Sequence, residues 1–245
     1  MRKIILLAAL GVLASATGAG AQAVISGGRH DLSAGTSLTN ADAAINGQKC
    51  VFCHTPHSGA LAAPLWNRSA PTSAYLLYAS STMDAASPGA PAVGAGMSGA
   101  CLSCHDGSIA VDVLLNLGGA AKVASTTFTR QAATALATYG TSGTGASNIM
   151  TGGIPFMGTD LRNDHPITII YETARASTSA EFVTQALVGS RVTVGATLPL
   201  PLFGSATATA TVECSSCHNP HNNTNGLFLR KPNTGSAICL SCHIK

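Results

Sequence analysis

Hydrophobic residues occur in short stretches along the chain, separated by long runs of small and polar residues. The exception is the apolar run over residues 4–13, which follows Arg2 and Lys3 and precedes an A-x-A sequence at residues 21–23. This pattern predicts a secretory signal peptide over residues 1–23. The apolar run is short against the roughly 20 residues of a membrane span, and no later stretch has 18 uninterrupted apolar residues. We therefore expect an exported mature protein without a membrane span.

The remaining pattern predicts a few strands, much irregular backbone and little helix. Strand character is found at residues 167–171 and 192–194, and residues 207–212 alternate Thr with Ala as in an edge strand. The one longer helical pattern, at about residues 130–138, is weak. Stretches rich in Gly, Ser, Thr and Pro predict loops at residues 71–99 and 140–153.

Composition and charge exclude several classes of function. Only 9% of the 245 residues are charged, about a third of the roughly 25% of an ordinary domain. Aromatic residues make up 4%, with Trp66 as the single tryptophan, so a large conventional core is poorly supplied. The net charge of +3, which falls to +1 without Arg2 and Lys3, excludes a strongly basic nucleic-acid surface or an acidic tail. The chemistry therefore rests on eight cysteines and eight histidines.

All eight cysteines fall into four C-x-x-C pairs, and a histidine follows each pair directly. C-x-x-C-H is the attachment signature of c-type haem. Two thiols three residues apart reach the two vinyl groups of one porphyrin, and the next residue offers its imidazole to the iron. Zinc sites and disulfides are the alternatives, but neither needs a histidine after every pair. The sequence predicts four covalent haems, attached through Cys50, Cys53, Cys101, Cys104, Cys214, Cys217, Cys239 and Cys242, with proximal ligands His54, His105, His218 and His243.

Four histidines remain, which matches the number of distal positions on four haem irons. They are His30, His57, His165 and His221. The count predicts bis-histidine ligation, because imidazole is the commonest biological metal ligand. His57 and His221 each lie three residues after a proximal histidine, in the sequence H-x-P-H. This spacing places them on the same side of their own haem, so we expect each to bind the iron of a neighbouring haem.

Methionine is the competing distal ligand, and it would raise the reduction potential. Four methionines lie outside the predicted signal peptide: Met83, Met97, Met150 and Met157. We favour histidine, because two of the four spare histidines share a repeated context and the methionines share none.

The chain contains an internal duplication. Residues 50–57, 65–68 and 101–105 in the first half correspond to residues 214–221, 227–230 and 239–243 in the second. Trp66 and Phe228 lie in the middle segments, where they pack either on a porphyrin or on protein. The predicted organisation is an N-terminal dihaem unit (24–113), a cysteine-free central segment (114–212) and a C-terminal dihaem unit (213–245), joined through the haems into one compact domain. The predicted fold class is a haem-organised multihaem cytochrome, mostly irregular, with short helices at the C-x-x-C-H sites and a few β-strands in the central region.

These motifs, together with R-H-D-L-S at residues 29–33 and P-L-W-N-R at residues 64–68, resemble the doubled-C-x-x-C-H multihaem cytochromes. Within that family the chain is similar to extracellular tetrahaem cytochromes of metal-reducing bacteria that polymerise into conducting filaments. The resemblance is specific at both haem-bearing ends and looser across the middle. It implies low-potential bis-histidine haems, a continuous haem chain, and self-association in which a neighbouring subunit often supplies one histidine. His30 and His221 are the candidates for that ligand.

We therefore expect an electron carrier and not an enzyme, working by electron hopping between haems. Its partners would be redox proteins or extracellular acceptors such as metal oxides, without nucleic acid. The expected location is extracellular or at the cell surface, with the periplasm as the alternative for a soluble shuttle. A multihaem reductase is a further alternative, but eight histidines for eight axial positions leave no open coordination site.

Overall fold

A computed structural model describes residues 25, 28–32, 48–59, 64–85, 96–111, 113–116, 141–142, 149–153 and 155–245. The predicted signal peptide and the predicted helix at residues 130–138 lie outside these residues. In the described part of the chain, no helix is both long enough and apolar enough to cross a membrane.

Regular elements are short, and most of the described backbone is irregular, as predicted. Among the described residues, the strands are β1 (Leu76–Leu77), β2 (Thr141–Ser142), β3 (Ile149–Met150), β4 (Asp160–Leu161), β5 (Ile169–Ile170), β6 (Gln185–Val188), β7 (Arg191–Val194), β8 (Leu200–Leu202) and β9 (Thr211–Val212). These strands form three two-stranded sheets, of which β1–β4 is parallel and β2–β3 and β5–β9 are antiparallel, and one antiparallel three-stranded sheet in the order β6-β7-β8. The same residues include the α-helices α1 (Met97–His105), α2 (Tyr171–Ser177) and α3 (Cys214–Cys217), and 3-10 turns at Thr207–Thr209, Thr234–Ser236 and Cys239–Ser241.

The three strand predictions hold to different degrees. Residues 192–194 lie in β7, as predicted. Of residues 167–171, only β5 is strand, because Thr168 has a positive φ of 59° and Tyr171 already begins α2. Residues 207–212 start as a 3-10 turn, and only β9 is a strand. The small Thr and Ala side chains there offer too little apolar surface to hold a longer strand.

Both predicted loops contain regular structure. Residues 71–99 include β1 and the start of α1, and residues 140–153 include β2 and β3. These strands are two residues long and form only through pairing. Leu76 lies opposite Asp160, far along the chain, which a local pattern does not reveal.

The main hydrophobic core forms around the three-stranded sheet. Along β7 the side chains of Val192 and Val194 point inward and are at most 1% exposed. Each fully buried Val or Leu contributes about 1.5–3 kcal/mol. The chain thus builds an aliphatic core despite its few aromatics, and the cluster consists of Ala85, Ile169, Tyr171, Ala174, Val192, Val194, Leu200, Leu202, Ala210, Val212 and Ile238.

This core region holds the C-terminal motif in place. The Tyr171 hydroxyl donates to the carbonyl oxygens of Val183 (2.8 Å) and Cys242 (3.0 Å). The backbone N–H of Val183 also donates to Cys242 O (2.9 Å), and that of Ile244 donates to Glu181 O (2.8 Å). The position of the fourth motif is therefore fixed by residues outside the duplicated units.

A group of buried hydrogen bonds between Ser98 and residues 213–214 connects the two halves of the chain through α1. Glu213, which directly precedes the third motif, is buried and accepts hydrogen bonds from the N–H of Ser98 (3.1 Å) and from its hydroxyl. The Cys214 N–H in turn donates to Ser98 Oγ (3.0 Å). A carboxylate at the first turn of a helix is favourable, because the free N–H groups there carry partial positive charge.

Candidate haem-binding sites

Each C-x-x-C-H motif forms one tight turn. The second motif lies in α1, the third is α3, and the fourth begins as a 3-10 turn at Cys239–Ser241. The first motif is the exception to the predicted short helices, because it forms hydrogen-bonded turns only. Even there, the His54 N–H donates to Cys50 O (2.7 Å), as the His243 N–H donates to Cys239 O (2.9 Å).

The duplication is visible in the backbone, and it corrects the alignment of the two halves by one residue. His54 bridges to Trp66, and His218 bridges to Leu229. Trp66 therefore corresponds to Leu229 and not to Phe228, which occupies the place of Leu65. Leu65 and Phe228 both have positive φ angles, 50° and 57°.

Backbone carbonyls fix the orientation of three proximal imidazoles. Nδ1 of His54 lies 2.7 Å from Pro64 O, and Nδ1 of His105 lies 2.6 Å from Pro155 O. Nδ1 of His218 lies 2.9 Å from Leu227 O. In each ring Nδ1 carries the donated proton, which leaves the lone pair on Nε2 for a metal.

Three proximal histidines each face one of the predicted distal histidines. The ring centroids are 6.0 Å apart for His54 and His221, 6.3 Å for His105 and His30, and 6.4 Å for His243 and His165. An imidazole nitrogen binds a metal at about 2 Å, so two rings on opposite sides of one ion have centroids roughly 6 Å apart. The three centroid distances therefore match the spacing of two imidazoles bound to one iron.

The His30–His105 pair is the most enclosed. Burial, together with the neighbouring His105, lowers the pKa of His30 to about 4, so its imidazole is neutral at physiological pH. Neutral imidazole is the form that binds metals. Phe228 stacks on His30 at 4.3 Å, and Trp66 meets His54 edge-on at 5.6 Å. Both aromatic side chains thus contact histidine rings.

His57 and His218 form no such pair among the described residues. Both are exposed, and Nδ1 of His57 lies 3.2 Å from Ser58 Oγ. The alternative methionine ligands lie elsewhere: Met150 is buried, and Met83 and Met157 pack against hydrophobic clusters.

No disulfide joins any two of the eight cysteines, and the proximity of several of them relates the motifs to one another. Burial and the nearby Cys104 raise the pKa of Cys53 to about 12, which links the first and second motifs. A hydrogen bond between the Cys101 and Cys214 thiols raises the pKa of Cys101 and lowers that of Cys214, which links the second and third.

The third and fourth motifs are linked in the same way. Burial and the neighbouring Cys217 raise the pKa of Cys242 to about 12. The four motifs therefore neighbour one another in sequence order. Within the described residues, no group of three or more His, Cys, Asp and Glu side chains is arranged to hold a metal ion on its own.

Sequence reasoning missed several polar side chains that surround the motifs. Arg68 and Lys231 are buried, and each donates to the serine inside a C-L-S-C-H motif. Asp106 is buried beside His105. The two cations share one position in the sequence. Each lies two residues after the residue that bridges to a proximal histidine, which is Trp66 for Arg68 and Leu229 for Lys231.

Comparison with known families identifies the motif itself. The family model described as "Doubled CXXCH motif" matches residues 207–245, which contain the third and fourth motifs. No curated protein matches the chain. Residues 207–245 thus match a doubled CXXCH motif domain, and a paired motif of this kind implies electron transfer through covalently bound haem c, as in c-type cytochromes.

Proposed function

We propose that the protein is a tetrahaem c-type cytochrome that carries electrons by hopping along four bis-histidine haems. The observation that supports this most directly is the set of three histidine pairs with centroids 6.0, 6.3 and 6.4 Å apart. When bound, each haem supplies a one-electron ferric–ferrous couple, whose potential depends on axial ligands, hydrogen bonds and burial.

The polypeptide orients the ligands and fills the coordination sphere. Carbonyl oxygens such as Pro64 O and Pro155 O hold the imidazole rings, which keeps the ligand positions the same in both oxidation states. Two imidazoles per iron leave no position for a substrate. This favours an electron carrier over a multihaem reductase.

Hydrogen bonds between the motifs support a haem chain in sequence order. Haem 1 (Cys50–His54) would lie beside haem 2 (Cys101–His105), because Arg68, two residues after the bridge from His54 to Trp66, donates to Ser103 inside the second motif. Haem 3 (Cys214–His218) would lie beside haem 2, because the Cys214 N–H donates to Ser98 Oγ in the helix that carries the second motif. Haem 4 (Cys239–His243) would follow, because Lys231, two residues after the bridge from His218 to Leu229, donates to Ser241 inside the fourth motif. Electrons would then pass from one end of the chain to the other without a gap.

Export and self-association complete the proposal. The predicted signal peptide favours an extracellular or cell-surface location, where redox proteins or metal oxides accept the electrons. His57 and His218 are exposed and unpaired among the described residues, so His57 of one copy is available to haem 3 of another. His57 is therefore the candidate for a ligand between subunits in place of His30 and His221, because each of those lies beside a histidine of its own chain.

Ligand binding tests the haem number and ligation. The purified holoprotein should carry four haems by mass and pyridine haemochrome assay, and its reduced form should not bind carbon monoxide. His221→Ala should open haem 1 and produce a carbon monoxide shift in about a quarter of the Soret absorption, whereas the neighbouring Asn222→Ala should not. Carbon monoxide binding by the parent, or fewer than four haems, would contradict the proposal.

Particle size tests the self-association. Electron microscopy and sedimentation of the parent should show filaments, and His57→Ala should disperse them into subunits with one open haem. Dispersed parent particles in which all haems are six-coordinate would instead assign His57 to haem 3 of its own chain and favour a soluble shuttle.

A further inference from the structure

We propose that Lys231 raises the reduction potential of haem 4 above that of haem 2, so that electrons collect at the C-terminal end of the haem chain. The inference rests on the proposed function, because it requires a haem at each of these two motifs. It adds a direction to a path that would otherwise be symmetric between the two duplicated units.

Lys231 is a buried cation in direct contact with the fourth motif. Its side chain is 9% exposed, and Nζ donates to Ser241 Oγ (2.8 Å) and Thr197 O (2.7 Å). Ser241 lies between the two cysteines that attach haem 4. Both of these hydrogen-bond partners are neutral, so neither cancels the charge of the ammonium group.

Arg68 occupies the corresponding place in the N-terminal unit. It is fully buried and donates to Ser103 Oγ (3.2 Å) and Ser103 O (2.9 Å), and Ser103 lies between the cysteines of the second motif. Each cation follows its bridging residue, Trp66 or Leu229, by two positions. The duplication has therefore kept a buried positive charge behind the second haem of each unit.

The two units differ in the opposing charge. Asp106 directly follows His105, is 4% exposed, and accepts hydrogen bonds from the Tyr75 hydroxyl (2.5 Å) and from Ser108 (2.8 Å). It places a buried negative charge beside haem 2, which opposes Arg68.

At the fourth motif, Ile244 occupies the position of Asp106. The charges of Lys245 and Glu181 act on His243, but both groups are exposed and they are opposite in sign. Water and salt screen exposed charges strongly. Lys231 is thus the one buried charge that acts on haem 4 among the described residues.

The sign and size of the effect follow from Coulomb's law. Reduction adds one negative charge at the iron, and a nearby cation stabilises the reduced state. A unit charge at a distance on the order of 10 Å, with an effective dielectric constant of 20, changes the reduction equilibrium by roughly tenfold. A tenfold change corresponds to about 59 mV for one electron.

The experiment measures the haem potentials of holoprotein variants. Lys231→Gln keeps a hydrogen-bond donor but removes the charge, and it should lower the ratio of reduced to oxidised haem 4 about tenfold at a fixed applied potential. Lys231→Arg should leave the potential unchanged, and so should Arg162→Gln, which alters an exposed cation paired with Asp160. Spectropotentiometry combined with His165→Met, which changes the axial ligand facing His243, identifies the signal of haem 4.

A second variant tests the contrast between the units. Asp106→Asn should raise the ratio of reduced to oxidised haem 2 by a similar factor at a fixed applied potential, because it leaves Arg68 unopposed. Unchanged potentials in Lys231→Gln or in Asp106→Asn, with four low-spin haems present, would overturn the inference and leave the proposed function intact. Loss of a haem from the parent protein would instead overturn the proposed function.

Discussion

Arg68 offers the clearest test of how a buried cation supports a haem-binding motif. Its guanidinium group has 0% exposure and donates five hydrogen bonds, four of them to backbone carbonyls. The acceptors are Ser103 Oγ (3.2 Å), Ser103 O (2.9 Å), Ala110 O (2.8 Å), Val111 O (2.7 Å) and Val113 O (3.2 Å). One side chain thus joins the second motif to the backbone that follows it.

The cost of Arg68→Met follows from the acceptors that it leaves behind. The hydrogen bonds to Ser103 O and Val111 O are buried, and an orphaned buried acceptor costs about 1–3 kcal/mol. Two such groups cost roughly 2–6 kcal/mol, and release of the guanidinium desolvation penalty offsets part of that sum. We expect a loss of about 2–4 kcal/mol in the free energy of unfolding.

Thermal unfolding of the holoprotein, followed at the Soret band, measures this loss. For a domain of this size 1 kcal/mol shifts Tm by about 2–4 °C, so Arg68→Met should lower Tm by roughly 5–15 °C. Arg68→Lys keeps the charge but has only three donors, and it should fall in between. Lys231→Met orphans a single carbonyl, Thr197 O, and should cost less. If Arg68→Met melts within a degree of the parent, the guanidinium does not hold this region together.

Two further substitutions test backbone and core contacts, again by Tm. Gly107→Ala should cost more than 2 kcal/mol, because φ is 75° and the added Cβ would lie 2.5 Å from Met150 O. Gly189→Ala is the matched control with φ of 62° in open space, and it should cost only about 1 kcal/mol; equal losses would show that the close approach to Met150 is unimportant. Tyr171→Phe should cost about 1 kcal/mol, because the hydroxyl donates to Cys242 O, and no loss would mean that this hydrogen bond does not anchor the fourth motif.

The sequence reveals the chemistry of the site better than its geometry. Local spacing alone defines the C-x-x-C-H motifs, since two thiols and an imidazole must reach one porphyrin. The pairing of His221 with His54 joins residues far apart in the chain, and the sequence offers only a count of histidines. The buried cations Arg68 and Lys231 were not predicted for a related reason. The sequence does not distinguish a buried Arg or Lys from an exposed one, because their hydrogen-bond partners lie elsewhere in the chain.

The strands were predictable where hydrophobic and polar side chains alternate along the chain. They were not predictable where a strand forms only by pairing with a distant segment. β7 follows from the alternation of Val192 and Val194 with polar residues, since both valines enter the core. β1 and β4 have no such pattern, and they become strands because Leu76 and Asp160 meet across the fold. A shortage of aromatics predicted too small a core, because Val, Leu and Ala residues from separate segments supply the apolar surface together.

The hydrogen bonds between Ser98 and Glu213 have a consequence for how the chain folds. They close over 115 residues of sequence, and contacts of such long range form slowly, because the entropy of loop closure precedes any gain. The helix that carries the second motif therefore receives its N-terminal carboxylate only after the chain has been made as far as the third motif. In the proposed cytochrome, a chain that stops short or folds incompletely holds separate haems without a connection between its halves. The path for electrons becomes continuous in the same step that completes the fold.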